Sequence, residues 1–281
     1  MISLLDIMNP FDAFSFSFFN RALLIVAILS LVLPLVGVRL AGRGASMIAD
    51  TLSHTSLAGI AIGLISGGLP MVWAIVFSAI ASILIEAIRR KFPKYSELSL
   101  TIILSFSLGL TGILGNFSSS SRFESYLFGS LFTVSWDQVI ALGAICAAGL
   151  VYEILFYRSN MLLSYSEIEA KANGVKVVPL SLIDTVITSM IVAAASNTIG
   201  SLLVSSFISI PVACALRGGK SNFMTNILAI VCSLASAIVG LFLAFSISLH
   251  VGGVIVMVNL IILIVTIIIT GIRKRKKPKG S

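Results

Sequence analysis

Residues 221–272, SNFMTNILAIVCSLASAIVGLFLAFSISLHVGGVIVMVNLIILIVTIIITGI, run for 52 positions without an Asp, Glu, Lys or Arg. A helix needs about 20 mostly apolar residues to cross the hydrocarbon core of a bilayer, so this stretch can cross twice. Residues 185–216 form a second such run, with 32 uncharged positions. Over the 281 residues, 58% are hydrophobic and 11% charged, and the mean hydropathy is +1.10. Soluble domains carry about 25% charged residues. The composition excludes a soluble enzyme, a disordered chain and a nucleic-acid binder. It points to an all-α polytopic membrane protein.

The apolar runs predict spans at 22–38, 45–66, 70–88, 98–116, 137–156, 179–196, 198–216, 223–245 and 251–271. The count is nine if residues 179–216 form two helices broken at Ser196-Asn197-Thr198; otherwise it is eight. The basic residues arbitrate. With nine spans and the C-terminus inside, 17 of the 19 Lys and Arg fall in inside segments, against Arg21 and Arg122 outside. That asymmetry is the positive-inside bias, and it puts the N-terminus outside. Eight spans would break the alternation. The net charge of +8 is therefore topological, and six basic residues lie in the tail, 272–281, expected to be cytoplasmic.

Loops are short except for residues 118–135, and the largest inside segment is 157–178. The chain reads as one transmembrane domain, 1–281, of a channel, a transporter or a subunit of one. Cys146, Cys214 and Cys232 lie in apolar runs and read as small buried hydrophobes. The aromatic segment 11–19 reads as an interfacial belt. His250, at the outer edge of the last span, reads as an interfacial histidine rather than a ligand.

Charges within spans each need an account. Glu86, Glu153 and Asp184 lie near inside ends and are expected to reach water. Asp50 and His54 differ. His54 is nine residues beyond Ala45, about 14 Å along a helix and near the midplane. The i, i+4 spacing puts both side chains on one face. A carboxylate beside an imidazole suits a transition metal, and equally a proton relay or a polar contact between helices. Gly59, Gly63 and Gly67 make a GxxxGxxxG ridge for close packing. Gly59 and Gly63 lie about 140° and 180° around the helix from His54, so packing and site occupy separate faces. One chain supplies two ligands where a tetrahedral site wants four; a two-fold dimer would supply the rest.

The sequence contains no GxxxxGKS or GxxxxGKT, so the chain is not expected to hydrolyse ATP itself. Glu169-Ala170-Lys171-Ala172-Asn173-Gly174 matches EAxxxG and resembles the loop by which ABC importer permeases couple to their ATPases. The stretch from Arg43 through Asp50-Thr51-Leu52-Ser53-His54 to Gly59 closely resembles the signature of permease subunits of zinc and manganese ABC importers. Tyr126-Leu127-Phe128-Gly129-Ser130, followed by Gln138-Val139-Ile140-Ala141-Leu142, resembles the same family. So does Leu202-Leu203-Val204-Ser205-Ser206, leading through Pro211 to Arg217. The matches keep their order over residues 43 to 217, and the wording is most similar to the zinc branch of Gram-positive bacteria.

The resemblance implies a type II ABC importer-like permease in a bacterial cytoplasmic membrane. It implies a homodimer, two cytoplasmic ATPase subunits and an extracellular metal-binding lipoprotein. Asp50 and His54 would line the metal pathway, with Ser46 a weak partner one turn further in; Glu169, Ala170 and Gly174 would couple to the ATPase. Zn2+ is the favoured cargo and Mn2+ the second, with no permanently bound cofactor. The alternative from another class is a gradient-driven carrier in which Asp50 and His54 relay protons. A third is a structural subunit in which the pair only holds helices together.

Overall fold

The computed structural model describes residues 16–115, 117, 126, 127, 129, 131–219, 221–247 and 249–276. Outside them lie residues 11–15 of the aromatic segment, residues 118–121 of the long loop, Arg122, Phe128, Ser130, Lys220, Ser248 and the tail from 277. Among the described residues the structure is helical, in the order α1 (Ser17–Gly42), α2 (Met47–Ser66), α3 (Pro70–Lys91), α4 (Ser96–Gly115), α5 (Trp136–Tyr165), α6 (Glu167–Ala172), α7 (Val177–Ile199), α8 (Ser201–Gly218), α9 (Asn222–Ile247) and α10 (Val251–Lys276). Two 3₁₀ turns, Pro93–Tyr95 and Leu131–Thr133, precede α4 and α5. All the helices except the six-residue α6 are long and apolar enough to span a membrane, which makes nine among the described residues.

Local chemistry sets several ends. Pro70 opens α3 at the first helical position, where its missing N–H is no loss. Ser135 and Gln138 close a capping box at the start of α5. The division between α7 and α8 falls later than the Ser196-Asn197-Thr198 break expected from sequence: those three residues are helical and buried. Gly200, at φ 88°, makes the break. Only glycine adopts that conformation without strain, and small polar residues inside a well-packed helix do not end it. Helix α5 also outruns its first apolar stretch, continuing past Arg158, Ser159 and Asn160 to Tyr165.

Burial sorts the helices. In α2, 72% of the apolar window is buried, against 22% in α10. Helices α1, α2, α7 and α8 make the interior, where Leu29, Leu33, Leu52, Ile191 and Phe207 are fully enclosed. Helices α3, α4, α5 and α10 turn Ile80, Ile102, Ile154 and Ile261 outward, the distribution that lipid contact allows. Phe19 is fully buried and packs on Phe242 and Phe245, so this one residue of the aromatic segment joins the core, while Phe16 stays exposed. Cys146 and Cys214 are buried and Cys232 half-buried.

The glycines of α2 divide. A methyl group on Gly59 would stand 2.5 Å from the Trp73 carbonyl oxygen, and one on Gly63 2.8 Å from the Pro70 Cα. Both let α2 touch the α3 backbone, the close approach that small residues permit. Gly67 does not pack: nothing lies within 4 Å of a Cβ built there. Its φ of 70° makes it the left-handed cap of α2, its N–H donating to the Gly63 carbonyl.

Candidate functional site

Helix α2 is rich in hydroxyls, and most are answered within the helix. Thr51, Ser53 and Thr55 donate to the carbonyls of Met47, Ala49 and Thr51. Thr55 also meets Ser107 of α4 at 2.9 Å. Answered hydroxyls are tolerable in an apolar interior; unanswered polar groups are costly there.

Asp50 and His54 stand apart from this pattern. The helix begins at Met47 rather than Ala45, so His54 is about 10 Å along it. His54 Nε2 lies 3.8 Å from Asp50 Oδ1. The Asp50 side chain is 41% exposed and that of His54 15%. Asp50 faces an open cavity of about 380 Å³ lined by Ser46, Met47, Leu202, Ser205, Ser206 and Ser209. Ser205 on α8 donates a hydrogen bond of 2.7 Å to Asp50 Oδ1. His54 Nδ1 is buried without a partner. Two donors about 2.1 Å from a tetrahedral metal are about 3.4 Å apart; the carboxylate oxygen beside His54 is the one Ser205 holds, so a shared ion would reach Asp50 through its other oxygen. No group of three or more His, Cys, Asp or Glu suited to a metal occurs among the described residues. Within one chain the site therefore has two strong donors and an open side.

The other charges inside the helices form a separate assembly. Asp184 of α7 contacts Arg39 of α1 at 2.7 Å and Arg43 at 2.9 Å, and Arg39 also pairs with Glu153 of α5. Glu86 of α3 contacts Arg90 at 2.7 Å and Arg89 at 3.5 Å, and accepts a hydrogen bond of 2.6 Å from Ser181. Arg89 reaches Glu167 of α6 at 3.5 Å. The expectation that Glu86 and Asp184 reach water is corrected: both are 1% exposed. Glu153 lies 12 residues short of the end of its helix rather than within a turn of it. Opposite charges, not solvent, hold these carboxylates, from neighbouring segments for Asp184 and Glu153 and from its own helix for Glu86, as buried charge requires. Burial pulls the Arg43 guanidinium below its ordinary pKa, and Asp184 opposes that shift.

Helix α6 carries the EAxxxG loop. Ser166 caps it by accepting from the Glu169 N–H, and Ala170 is fully buried against Leu163, Val177 and Leu180. Gly174 turns the chain at φ 77°. Glu169 is exposed and Ile168 is 82% exposed, so α6 is anchored on one side and presents the other. His250 is exposed just before α10.

Sequence reasoning missed Ser205 as a partner of Asp50, although it lies in a stretch singled out by resemblance. It also missed Arg39 and Arg43 as partners of Asp184. Arginines at a span end next to an acidic residue in another span were the available signal.

Three comparisons bear on the chain. The manganese import system permease protein ScaB of Streptococcus parasanguinis is 28% identical over 264 residues, 93% of this chain and 94% of that protein. The high-affinity zinc uptake system membrane protein ZnuB of Haemophilus influenzae is 28% identical over 228 residues, 79% of this chain and 86% of that one. The solved structure of PsaBC from Streptococcus pneumoniae in complex with Fab superposes with a TM-score of 0.81 at 26% identity, covering 91% of this chain and 93% of that one. The model of the ABC 3 transport family matches residues 15–270. A multi-pass helical bundle of the cell membrane, matched over almost its whole length, the chain belongs to the ABC 3 transport family and is a permease of metal ABC transport.

Proposed function

We propose that the chain is the translocation subunit of an ATP-driven importer with zinc as its preferred cargo and manganese as the second. The observation that carries this reading is the Asp50–His54 pair, side by side on an otherwise well-buried helix, with Asp50 open to a cavity. Two donors per chain become four in a homodimer with α2 of each copy near the axis, the number a tetrahedral zinc site uses. The exposed Met47 and Leu202 beside Asp50 suit an apolar rim around such a contact. Mixed carboxylate and imidazole ligation binds a divalent ion without trapping it as four thiolates would.

In this reading the N-terminus is outside, and the basic residues from 272 onward reach the cytoplasm. An extracellular metal-binding lipoprotein delivers the ion, which meets Asp50 and His54 of both copies, with Ser46 a weak inner partner. Two cytoplasmic ATPase subunits dock on α6, where exposed Ile168 and Glu169 offer a contact braced by Ala170 and the Gly174 turn. ATP hydrolysis belongs to those subunits; the permease itself is not an enzyme. Each copy contributes its single transmembrane domain, 1–281, to the pathway. Membership of an ABC family favours this over a gradient-driven proton relay.

The test is accumulation of zinc and manganese in cells, in parallel, for the wild type, Asp50→Ala and His54→Gln at matched membrane abundance. Glutamine keeps hydrogen-bonding capacity but is a poor metal ligand. Loss of zinc uptake in both variants is expected. Loss of manganese alone would change the cargo, and unchanged uptake of both metals would reduce the pair to helix glue.

A further inference from the structure

The Asp50 carboxylate is held from across the bundle by a single group. Ser205 Oγ lies 2.7 Å from Asp50 Oδ1 and 3.2 Å from the Ser201 carbonyl oxygen. A hydroxyl has one proton, and the shorter contact to a charged acceptor takes it. The two residues are 155 positions apart, so α8 sets the orientation of a carboxylate that α2 carries. His54 has no such hold, since its buried Nδ1 lacks a partner. Metal-binding side chains are ordinarily oriented by an outer hydrogen bond, and of this pair only Asp50 has one.

The hold has a consequence for coordination. A carboxylate can offer a metal both oxygens or one. An oxygen that already accepts a charge-assisted hydrogen bond is the poorer second donor, so the ion is offered one strong oxygen. One oxygen and one imidazole nitrogen from each of two copies make four donors, which suits zinc. Manganese is a harder ion that takes six ligands, preferably oxygen, and it gains more from a carboxylate free to bind through both.

We propose that Ser205 is a positioning residue that sets selectivity: by holding Asp50 Oδ1 it keeps the carboxylate monodentate and biases the pathway toward zinc over manganese. This rests on Asp50 and His54 being metal ligands.

The experiment measures initial uptake rates of radioactive zinc and manganese across a concentration series. It uses cells expressing the complete importer with wild-type, Ser205→Ala, Ser205→Thr or Asp50→Ala permease at matched membrane abundance. Removing an outer-shell partner typically costs 10–100-fold in metal affinity, so Ser205→Ala is expected to raise the zinc KM by about tenfold or more. The manganese KM stays constant or falls, so zinc-over-manganese preference drops by at least the same factor. Ser205→Thr keeps the hydroxyl and restores the preference. An unchanged ratio in Ser205→Ala overturns the proposal, as does a lower Vmax for both metals with KM constant, which marks a structural role. A wild type that takes up manganese alone overturns it too. If Asp50→Ala still transports, the ligand reading itself fails; if Asp50→Ala is inactive while Ser205→Ala behaves as wild type, only the role of Ser205 fails.

Discussion

Two sets of ionised side chains sit within this bundle, and they differ in what surrounds them. Asp184 and Glu86 are almost fully buried and each contacts two arginines. Asp50 is 41% exposed, receives one hydroxyl, and has at its side a histidine with an unpartnered ring nitrogen. Buried charge persists when opposite charge faces it, as the arginines face Asp184 and Glu86, even though Asp184 Oδ1 and Oδ2 and Glu86 Oε2 accept no hydrogen bond. Charge left short of partners beside an open cavity retains donor capacity, and in a membrane protein that arrangement is functional by default. Facing arginines and near-complete burial mark the scaffold charges, and exposure to a cavity marks Asp50.

The largest expected effect lies on the scaffold side. Asp184→Ala leaves Arg39 and Arg43 buried without their shared counter-ion, and breaking a buried pair in this way costs about 3–5 kcal/mol. Thermal unfolding of the purified protein in detergent, with the yield of folded protein, reads it; a wild-type melting curve would show that the network is not structural.

On the other side of the comparison, His54→Gln and Asp50→Ala are expected to reduce zinc uptake to background while lowering the melting temperature much less than Asp184→Ala does. Asp50→Ala gives up one hydroxyl contact at a part-exposed site, a loss of about 1 kcal/mol. If either variant unfolds earlier in proportion to its lost uptake, the two regions are not distinct in kind.

A smaller effect tests the face of α2 that points away from the site. Gly59→Ala puts a methyl group 2.5 Å from the Trp73 carbonyl oxygen, which backbone cannot readily yield. Overpacking typically costs about 1–3 kcal/mol, so a lower melting temperature with a normal zinc KM is expected. A shifted KM at unchanged stability would mean that the two faces of α2 are coupled.

The smallest effect is at the edge of the network. Glu167 is 47% exposed where it meets Arg89, and exposed pairs contribute about 0–1 kcal/mol. Glu167→Gln should barely move the unfolding transition. ATPase activity of the assembled complex, measured alongside, would reveal whether the contact matters for docking on α6.

Legibility from sequence followed the range of the interaction involved. The span expected at 70–88 corresponds to Pro70–Lys91, and that at 251–271 begins where α10 begins. Apolar run length is a local property, so it was readable. The same signal stopped at residue 156 in α5, because a helix that continues beyond an apolar layer leaves no hydropathy trace. The break at Gly200 was misplaced because Ser196-Asn197-Thr198 has the composition of a turn; packing against neighbours kept those residues helical. The GxxxGxxxG spacing grouped Gly67 with two packing glycines, although helix geometry makes it a cap.

The sequence by itself determined the membrane class and the placing of Asp50 and His54 on one helical face, which follow from residues less than about 25 positions apart, and its charges along the whole chain chose nine spans, the number of span-length helices among the described residues. Tertiary structure alone decided which charges are satisfied. Arg39 meets Asp184 and Asp50 meets Ser205 across 145 and 155 positions of chain, and such contacts depend on how whole helices settle against one another. Hydrophobic length is written along the chain; contacts such as Arg39–Asp184 and Ser205–Asp50 are written only between helices, and the packing of whole helices leaves Asp50 open to a cavity.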